Sequence, residues 1–387
     1  MTQLTSPKPS SETAPSTAIK PSAAITPSTG TAKNRRRPLI AFLPLLVLIF
    51  LCLGSPALSL AGDLVCRMSE KGPAQSITLY NFALTLNRQN INALCGRAEA
   101  HKRLGNLQAA LKDVDSALDI AKSAQALALK GEILWRAKSA ALVWQEPLQE
   151  ASQLKESKDL GLTYQKRAFQ AVYGQAPPRE IICLSSVALL LNKDLPRAFA
   201  YRANAYNQIG DYHRALIDCR QGMRCPLTKS DRSLLYMQRA DALYGMGKIE
   251  DTVYSARQAV RLRPTESNYT DAVAYMMENG DYDEALSLSS KWHEHFKVSP
   301  ERKLLRKRIL QLKGLPSLAN DITTIPWEED IMADYYCQRA LSFYRAKNYK
   351  AAEKAAKYAL SFYKNDETAM AIALCSEANL SSEKKSQ

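Results

Sequence analysis

Small and large apolar residues recur at fixed spacing along most of this chain. Four Arg-Ala pairs are each followed, seven residues after the alanine, by a turn and then by an aromatic or aliphatic residue; the alanines are Ala98, Ala203, Ala240 and Ala340. A large apolar residue precedes each alanine by four positions, which places both side chains on one face of a helix. A second apolar pattern of helical period begins after each turn. The spacing therefore predicts pairs of antiparallel helices.

The pairs repeat with a period near 34 residues, which predicts an all-α helical repeat, or α-solenoid. The predicted repeat domain covers residues 75-380, with a closing helix from Glu367, and residues 381-387 are expected to be disordered. Three stretches, around Pro147, at Pro177-Pro178 and from Pro316, are expected to bend or interrupt the stack, because proline lacks the amide hydrogen that a helix uses. The clearest units are 91-124, 196-232, 233-266 and 333-366.

The pattern resembles the tetratricopeptide repeat (TPR), whose units have two antiparallel helices with a small residue in the first helix and an alanine where the second helix crosses it. The resemblance implies that the first helices line a concave groove and that residues spaced i, i+4, i+7 along them face it. The resemblance places Cys95, Ala200, Met237 and Cys337 at the first of these positions. The candidate groove contacts at the other two are Glu99, Lys102, Asn204, Asn207, Asp241, Tyr244, Leu341 and Tyr344. Their mixed and nearly neutral chemistry favours protein or peptide partners, held by amide and aromatic side chains.

The chain before the repeats has a different composition. Residues 1-38 are rich in Ser, Thr, Pro, Ala and basic residues and contain no aromatic residue, so they are expected to be disordered. Residues 39-61 carry no charge and are long enough for one transmembrane helix. Basic residues before this segment predict a single-pass membrane protein with a cytoplasmic tail and exported repeats. The alternative is a signal peptide cleaved near Ala61, which would release a soluble exported assembly or carrier factor.

Charge and composition exclude several classes of function. The net charge is +14, but +5 of it lies in the first 38 residues, and no basic stripe with interleaved aromatic residues marks a nucleic-acid surface. No phosphate loop, nucleophile motif or metal-ligand spacing is present, and the eight cysteines form no C-x-x-C pair. We therefore expect no cofactor, metal, small-molecule substrate or catalysis, and unpaired thiols buried in helices.

The sequence as a whole predicts a membrane-anchored scaffold that mediates protein-protein interactions. An enzyme with an unfamiliar site, built on a groove carboxylate such as Asp241, is the hypothesis from a different class.

Overall fold

The computed structural model describes residues 54–68, 71–139, 141–296, 300–323 and 326–386 of the chain. Within these ranges the regular structure consists of nineteen α-helices and no strand, which confirms the predicted all-α helical repeat. Eighteen of the helices form nine consecutive pairs, each with a first (odd-numbered) and a second (even-numbered) helix. The pairs are α1 Ser55–Met68 and α2 Gly72–Leu86; α3 Ile91–Arg103 and α4 Leu107–Ile120; α5 Ala124–Arg136 and α6 Ala141–Ser152; α7 Ser157–Tyr173 and α8 Pro178–Leu191; α9 Pro196–Gln208 and α10 Tyr212–Gly222; α11 Lys229–Gly245 and α12 Ile249–Leu262; α13 Glu266–Asn279 and α14 Tyr282–His295; α15 Pro300–Leu312 and α16 Pro316–Asn320; and α17 Pro326–Arg345 and α18 Tyr349–Phe362, followed by the single helix α19 Glu367–Ser386.

A residue with left-handed backbone conformation lies in the turn inside every pair from the second to the ninth. Five of these turn residues are glycines, which adopt positive φ without a steric cost. Three are not glycines: Lys138, Gln175 and Lys347 have φ values of 58°, 53° and 60°. The turn geometry is thus retained where the glycine is missing, both in the ninth pair, whose sequence pattern is clear, and in the third and fourth pairs, which lie outside the clearest units.

The Arg-Ala pairs have a structural role in two of the clearest units. Arg97 in α3 forms a bidentate ion pair with Asp113 in α4, with Nη2 2.6 Å from Oδ1 and Nε 2.8 Å from Oδ2. Arg202 in α9 repeats the arrangement with Asp218 in α10, at 2.7 and 2.8 Å. Both carboxylates lie sixteen residues after their arginine, so this spacing joins the two helices of a unit.

The helix α1 corrects the predicted boundary of the apolar segment. Residues 55-61 belong to α1, whose Gly62 packs against the ring of Tyr80 so closely that an added Cβ would lie 2.6 Å from it. Ser55 Oγ donates to the Ala83 carbonyl at 2.8 Å, and the Tyr80 hydroxyl donates to Asp63 at 2.6 Å. The repeat therefore begins at α1, before the predicted residue 75, because α1 has a buried face that matches α2.

The predicted single-pass membrane location is wrong. Among the helices of the described residues, none combines the length and the apolar character needed to cross a bilayer. Residues 39–53 of the predicted segment and the whole predicted tail, residues 1-38, lie outside the described residues.

Two further expectations differ from the structure. Pro147 lies inside α6 rather than interrupting it, and α19 continues to Ser386, into the predicted disordered end. In the stretch from Pro316, where an interruption is expected, the second helix of the eighth pair is the five-residue helix α16. This truncated second helix precedes the ninth pair, whose position determines how much of the predicted groove is open.

Candidate protein-interaction surface

The turn residues give a common register for the first helices. The residue six positions before the turn residue is the central one of the predicted groove positions, and we call the surface that these residues mark the first-helix face. From the second to the ninth pair they are Glu99, Glu132, Phe169, Asn204, Asp241, Ala274, Arg308 and Leu341. The structure gives three sections of this face different environments.

In pairs two and three, the first-helix face is closed by a buried network of charges that also includes Tyr164 and Arg167 of α7. The Lys102 ammonium lies 2.7 Å from Glu132 and 2.5 Å from Glu99, and the side chains of Lys102 and Glu132 are 1% and 0% exposed. Arg167 and the hydroxyl of Tyr164 also donate to Glu132, each at 3.2 Å. Burial alone raises the pKa of the Glu132 carboxyl, but Lys102 and Arg167 outweigh it and hold that pKa well below its usual range.

This network corrects the expectation that Lys102 faces an open groove. Its ammonium is fully engaged between two carboxylates from neighbouring first helices, so it has no remaining surface for a peptide. Glu99 is partly exposed, but it too is paired, with Lys102 and with Arg103 at 3.3 Å. The sequence pattern pointed to the correct face but did not indicate that Glu132, one repeat later, completes the pair.

In pairs six and seven, the first-helix face is covered by α17 from the ninth pair. The Arg339 guanidinium in α17 lies 4.1 Å from the ring centre of Tyr244 and 4.2 Å from that of Tyr275. Its Nη1 is 3.9 Å from Glu278, and the Tyr335 hydroxyl donates to Asp271 at 2.7 Å. Cation–π contacts, an ion pair and a hydrogen bond therefore hold α17 against α11 and α13.

The turn of the ninth pair extends this contact toward the middle of the chain. The Asn348 side-chain amide donates to the Gly245 carbonyl at 2.5 Å, and the rings of Phe343 and Tyr244 are 5.3 Å apart. Ala346 packs directly on Gly210, where an added Cβ would lie 2.9 Å from the Ala346 carbonyl oxygen. The ninth pair thus contacts the turn of the fifth pair and the first helices of the sixth and seventh.

The candidate contacts Asp241 and Tyr244 consequently do not lie on an open surface. Tyr244 is buried and donates to Glu278, and Asp241 accepts from the Tyr275 hydroxyl at 2.6 Å. Burial, together with the neighbouring Asp271, raises the pKa of Asp241 to about 6, although the Tyr275 hydrogen bond lowers it. The prediction assumed an open groove along every first helix, whereas the chain here covers its own surface.

The candidate contacts of the ninth pair are half-buried. Leu341 and Tyr344 pack against the hydrophobic core of the C-terminal pairs, and the Tyr344 ring meets Tyr349 edge-on at 5.5 Å. Their role in binding stays a prediction.

In pairs four and five, by contrast, the first-helix face exposes aromatic side chains. Phe169 and Tyr173 on α7 are 43% and 74% exposed, and their ring centres are 4.4 Å apart. Tyr201 on α9 is buried beside them, 6.0 Å from Phe169. We call Phe169, Tyr173 and Tyr201 the aromatic patch.

Two candidate amides lie on the helix that carries Tyr201. Asn204 is half-buried and accepts from the Gln208 side chain at 2.8 Å. Asn207 donates to the Gln238 carbonyl at 2.9 Å, so it also ties α9 to α11. The structure thus places both asparagines on α9, with Asn207 already engaged in packing between the fifth and sixth pairs.

The aromatic patch is not among the predicted groove contacts, because the fourth pair lies outside the four clearest units of the sequence pattern. A signal was present: Arg167-Ala168 precedes the turn residue Gln175 by the usual seven residues. Because the turn position holds no glycine, the sequence pattern does not extend the groove register to Phe169.

Within the described ranges, no group of three or more His, Cys, Asp or Glu side chains is arranged to hold a metal ion.

No family model and no curated protein matches the sequence. Solved structures do resemble it. The crystal structure of YrrB, a TPR protein with an unusual peptide-binding site, is 13% identical, with 58% of this chain and 95% of that chain covered and a TM-score of 0.34. The C-terminal part of a TPR repeat-containing protein from Cytophaga hutchinsonii is 12% identical, with 81% and 98% covered and a TM-score of 0.41. A tetratricopeptide repeat protein from Parabacteroides merdae is 13% identical, with 79% and 93% covered and a TM-score of 0.33. Because these scores are low, the conclusion that the chain is an all-α helical repeat rests on its own nine helix pairs.

Proposed function

We propose that this chain is a protein-interaction scaffold that binds a peptide segment of a partner on the aromatic patch, without catalysis of its own. The observation that carries the proposal is the exposure of Phe169 and Tyr173 on the first-helix face, where the flanking sections are sealed. Exposed aromatic side chains are costly to leave in water and are enriched among the residues that dominate binding energy.

The neighbouring sections explain why the ligand is expected here. The Lys102–Glu132 network closes the face on the N-terminal side, and Arg339 and its helix α17 cover it on the C-terminal side. Between them, Asn204 offers an amide group that can exchange hydrogen bonds with a peptide backbone, since among the described residues its side chain bonds only to that of Gln208. A short peptide with one or two apolar anchors is the ligand that this combination favours.

The test uses the full chain and a random peptide library displayed on phage. Peptides enriched on the wild type are synthesised, and their affinities are measured for the double variant F169A/Y173A. We expect a loss of affinity of at least about tenfold, because truncating a central aromatic contact typically costs 2 kcal/mol or more. The fold should survive, since both side chains are exposed.

A matched control is available on the other side of the repeat. Tyr254 on the second helix α12 is 49% exposed, so Y254A removes an exposed aromatic residue away from the first-helix face. Unchanged binding by Y254A together with the loss in F169A/Y173A supports the proposal. Equal affinities of the wild type and F169A/Y173A for every enriched peptide would refute it.

A further inference from the structure

A basic residue recurs at one place of the repeat, eight positions before the turn residue. It is the arginine of the Arg-Ala pattern or its equivalent, and within the described chain the residues at this place are Arg97, Lys130, Arg167, Arg202, Arg239, Arg306 and Arg339. Because the helical register is shared, each has the same location on its first helix. Comparing the partners of these seven cations shows which of them serve the fold and which are available for another role.

Nearly all of these cations are satisfied by the chain itself. Five have a carboxylate within ion-pair distance, in the pairs Arg97–Asp113, Lys130–Asp115, Arg167–Glu132, Arg202–Asp218 and Arg339–Glu278. Arg306 donates to the hydroxyl of Ser290 at 3.4 Å. Arg239 alone has neither an ion pair nor a hydrogen bond to another described residue.

The sequence shows one difference between Arg239 and the arginines of the second and fifth pairs. Asp113 and Asp218 follow their arginines by sixteen residues, but the residue sixteen positions after Arg239 is Ser255. Ser255 is buried, and its hydroxyl donates to the Asp251 carbonyl of its own helix at 2.8 Å. The sixth pair therefore keeps the arginine of the repeat and lacks the carboxylate that pairs with it in the second and fifth pairs.

A cavity of about 470 Å³ opens where Arg239 is left without a partner. It lies between the second helices α10 and α12, with α11 as a further wall. Arg220 and Lys248 line it together with Arg239. Asp251 is its only acidic lining residue, and the other walls are mainly apolar. Three cations against one carboxylate give this cavity a positive charge, and it lies on the second-helix side, away from the aromatic patch.

The preceding repeat offers a built-in comparison. A second cavity, of about 410 Å³, is lined by Arg202 and lies between α8 and α10. There the arginine is already paired, since two of its three donor nitrogens, Nε and Nη2, donate to Asp218. The two cavities thus differ in whether the arginine that lines them has an ion-pair partner within the described chain.

We propose that the cavity at Arg239 binds an acidic side chain, Asp or Glu, of a partner peptide that lies across α10 and α12. The partner's carboxylate pairs with the Arg239 guanidinium from the cavity side, in the bidentate manner in which Asp218 pairs with Arg202 in the preceding repeat. Arg220 and Lys248 attract the peptide through its charge, and the apolar walls accept the methylene groups of the side chain.

The test measures binding of fluorescein-labelled hexaglutamate to the full chain by fluorescence anisotropy at several salt concentrations. Wild-type binding is expected to weaken as salt rises, because the contact is between opposite charges. The variant S255D supplies the missing carboxylate from within and should reduce affinity at least about tenfold, the effect of losing one charge-assisted hydrogen bond. R239Q should reduce it equally, whereas R88Q, which removes an exposed arginine elsewhere, should change it less than twofold.

The melting temperature of S255D provides a second readout. An aspartate that pairs with Arg239 in the manner of Asp218 raises the melting temperature, and an unpaired buried carboxylate lowers it. A higher melting temperature with lost hexaglutamate binding supports the proposal. Wild-type affinity in both S255D and R239Q, or the absence of salt-sensitive binding by the wild type, would overturn it. F169A/Y173A should bind hexaglutamate normally, so this test and that of the aromatic patch can fail independently.

Discussion

The substitution E132Q tests the buried network of pairs two to four. The change preserves the shape of the side chain but removes the charge that faces Lys102 and Arg167. Lys102 is only 1% exposed and retains only the half-exposed Glu99 as its partner. A buried cation that loses its counter-charge cannot regain it from water, so the cost is much greater than for a surface pair.

The expected loss is about 3–5 kcal/mol, the usual cost of removing one partner from a buried ion pair. It should depend on pH. The pKa of Glu132 is lower in the folded chain than its unfolded value of about 4.3, so its contribution is complete at pH 7 and declines as the pH falls below about 4. The difference between wild type and E132Q is therefore largest near neutrality.

Urea denaturation followed by circular dichroism measures the effect. The matched control is E150Q on the adjacent helix α6, where Glu150 pairs with Lys122 at 2.5 Å but the two side chains are 41% and 74% exposed. This surface pair should contribute less than about 1 kcal/mol. If E132Q shifted the urea midpoint no more than E150Q does, the network would not be the buried, mutually dependent unit described above.

Three other perturbations test separate parts of the fold. G247A, with open space around the new Cβ, should cost about 1 kcal/mol for its positive φ, whereas G210A adds a clash with the ninth pair and should lower the melting temperature considerably more. D241N should raise the melting temperature at pH 7 and not at pH 4. The pKa of Asp241 is raised to about 6 in the folded chain, so the buried carboxylate is charged at pH 7 and this charge destabilises the fold. As the pH falls, Asp241 takes up a proton in the folded chain before it does so in the unfolded chain, and the penalty disappears. Of the cysteines in the described ranges, Cys375 is exposed and should react rapidly with iodoacetamide at pH 8. Burial raises the pKa of Cys95 to about 12, so Cys95 should react only after unfolding. Mass spectrometry of the labelled peptides distinguishes the two cysteines.

The helix pairs could be predicted from sequence because the small residue of the first helix and the turn have a fixed spacing. Ala98 and Gly105 illustrate it: one allows close helix packing, and the other adopts positive φ. The turn could not be predicted where its central residue is Lys138 or Gln175, since neither residue type indicates a left-handed conformation. The predicted start of the repeat is too late, because the first residues of α1 belong to the uncharged segment that predicts a membrane helix. In the structure these residues form part of the first helix pair.

The open part of the surface could not be predicted, because it depends on contacts between distant repeats. Nothing in the local pattern indicates that Arg339 reaches Tyr244, almost a hundred residues earlier, and covers the face at Asp241. Likewise, Lys102 looks solvent-exposed in the sequence until Glu132 is placed beside it. A repeat register identifies a face, but long-range packing determines which of its residues are accessible.

The most direct test of the proposed binding surface is a photo-crosslinking measurement. Tyr173 or, in a second protein, Tyr254 is replaced by p-benzoylphenylalanine, and each full-length chain is irradiated with a labelled peptide selected on the wild type. The account predicts a crosslink from position 173 that excess unlabelled peptide suppresses, and none from position 254. A crosslink from position 254 alone, or equal labelling at both positions, would contradict it.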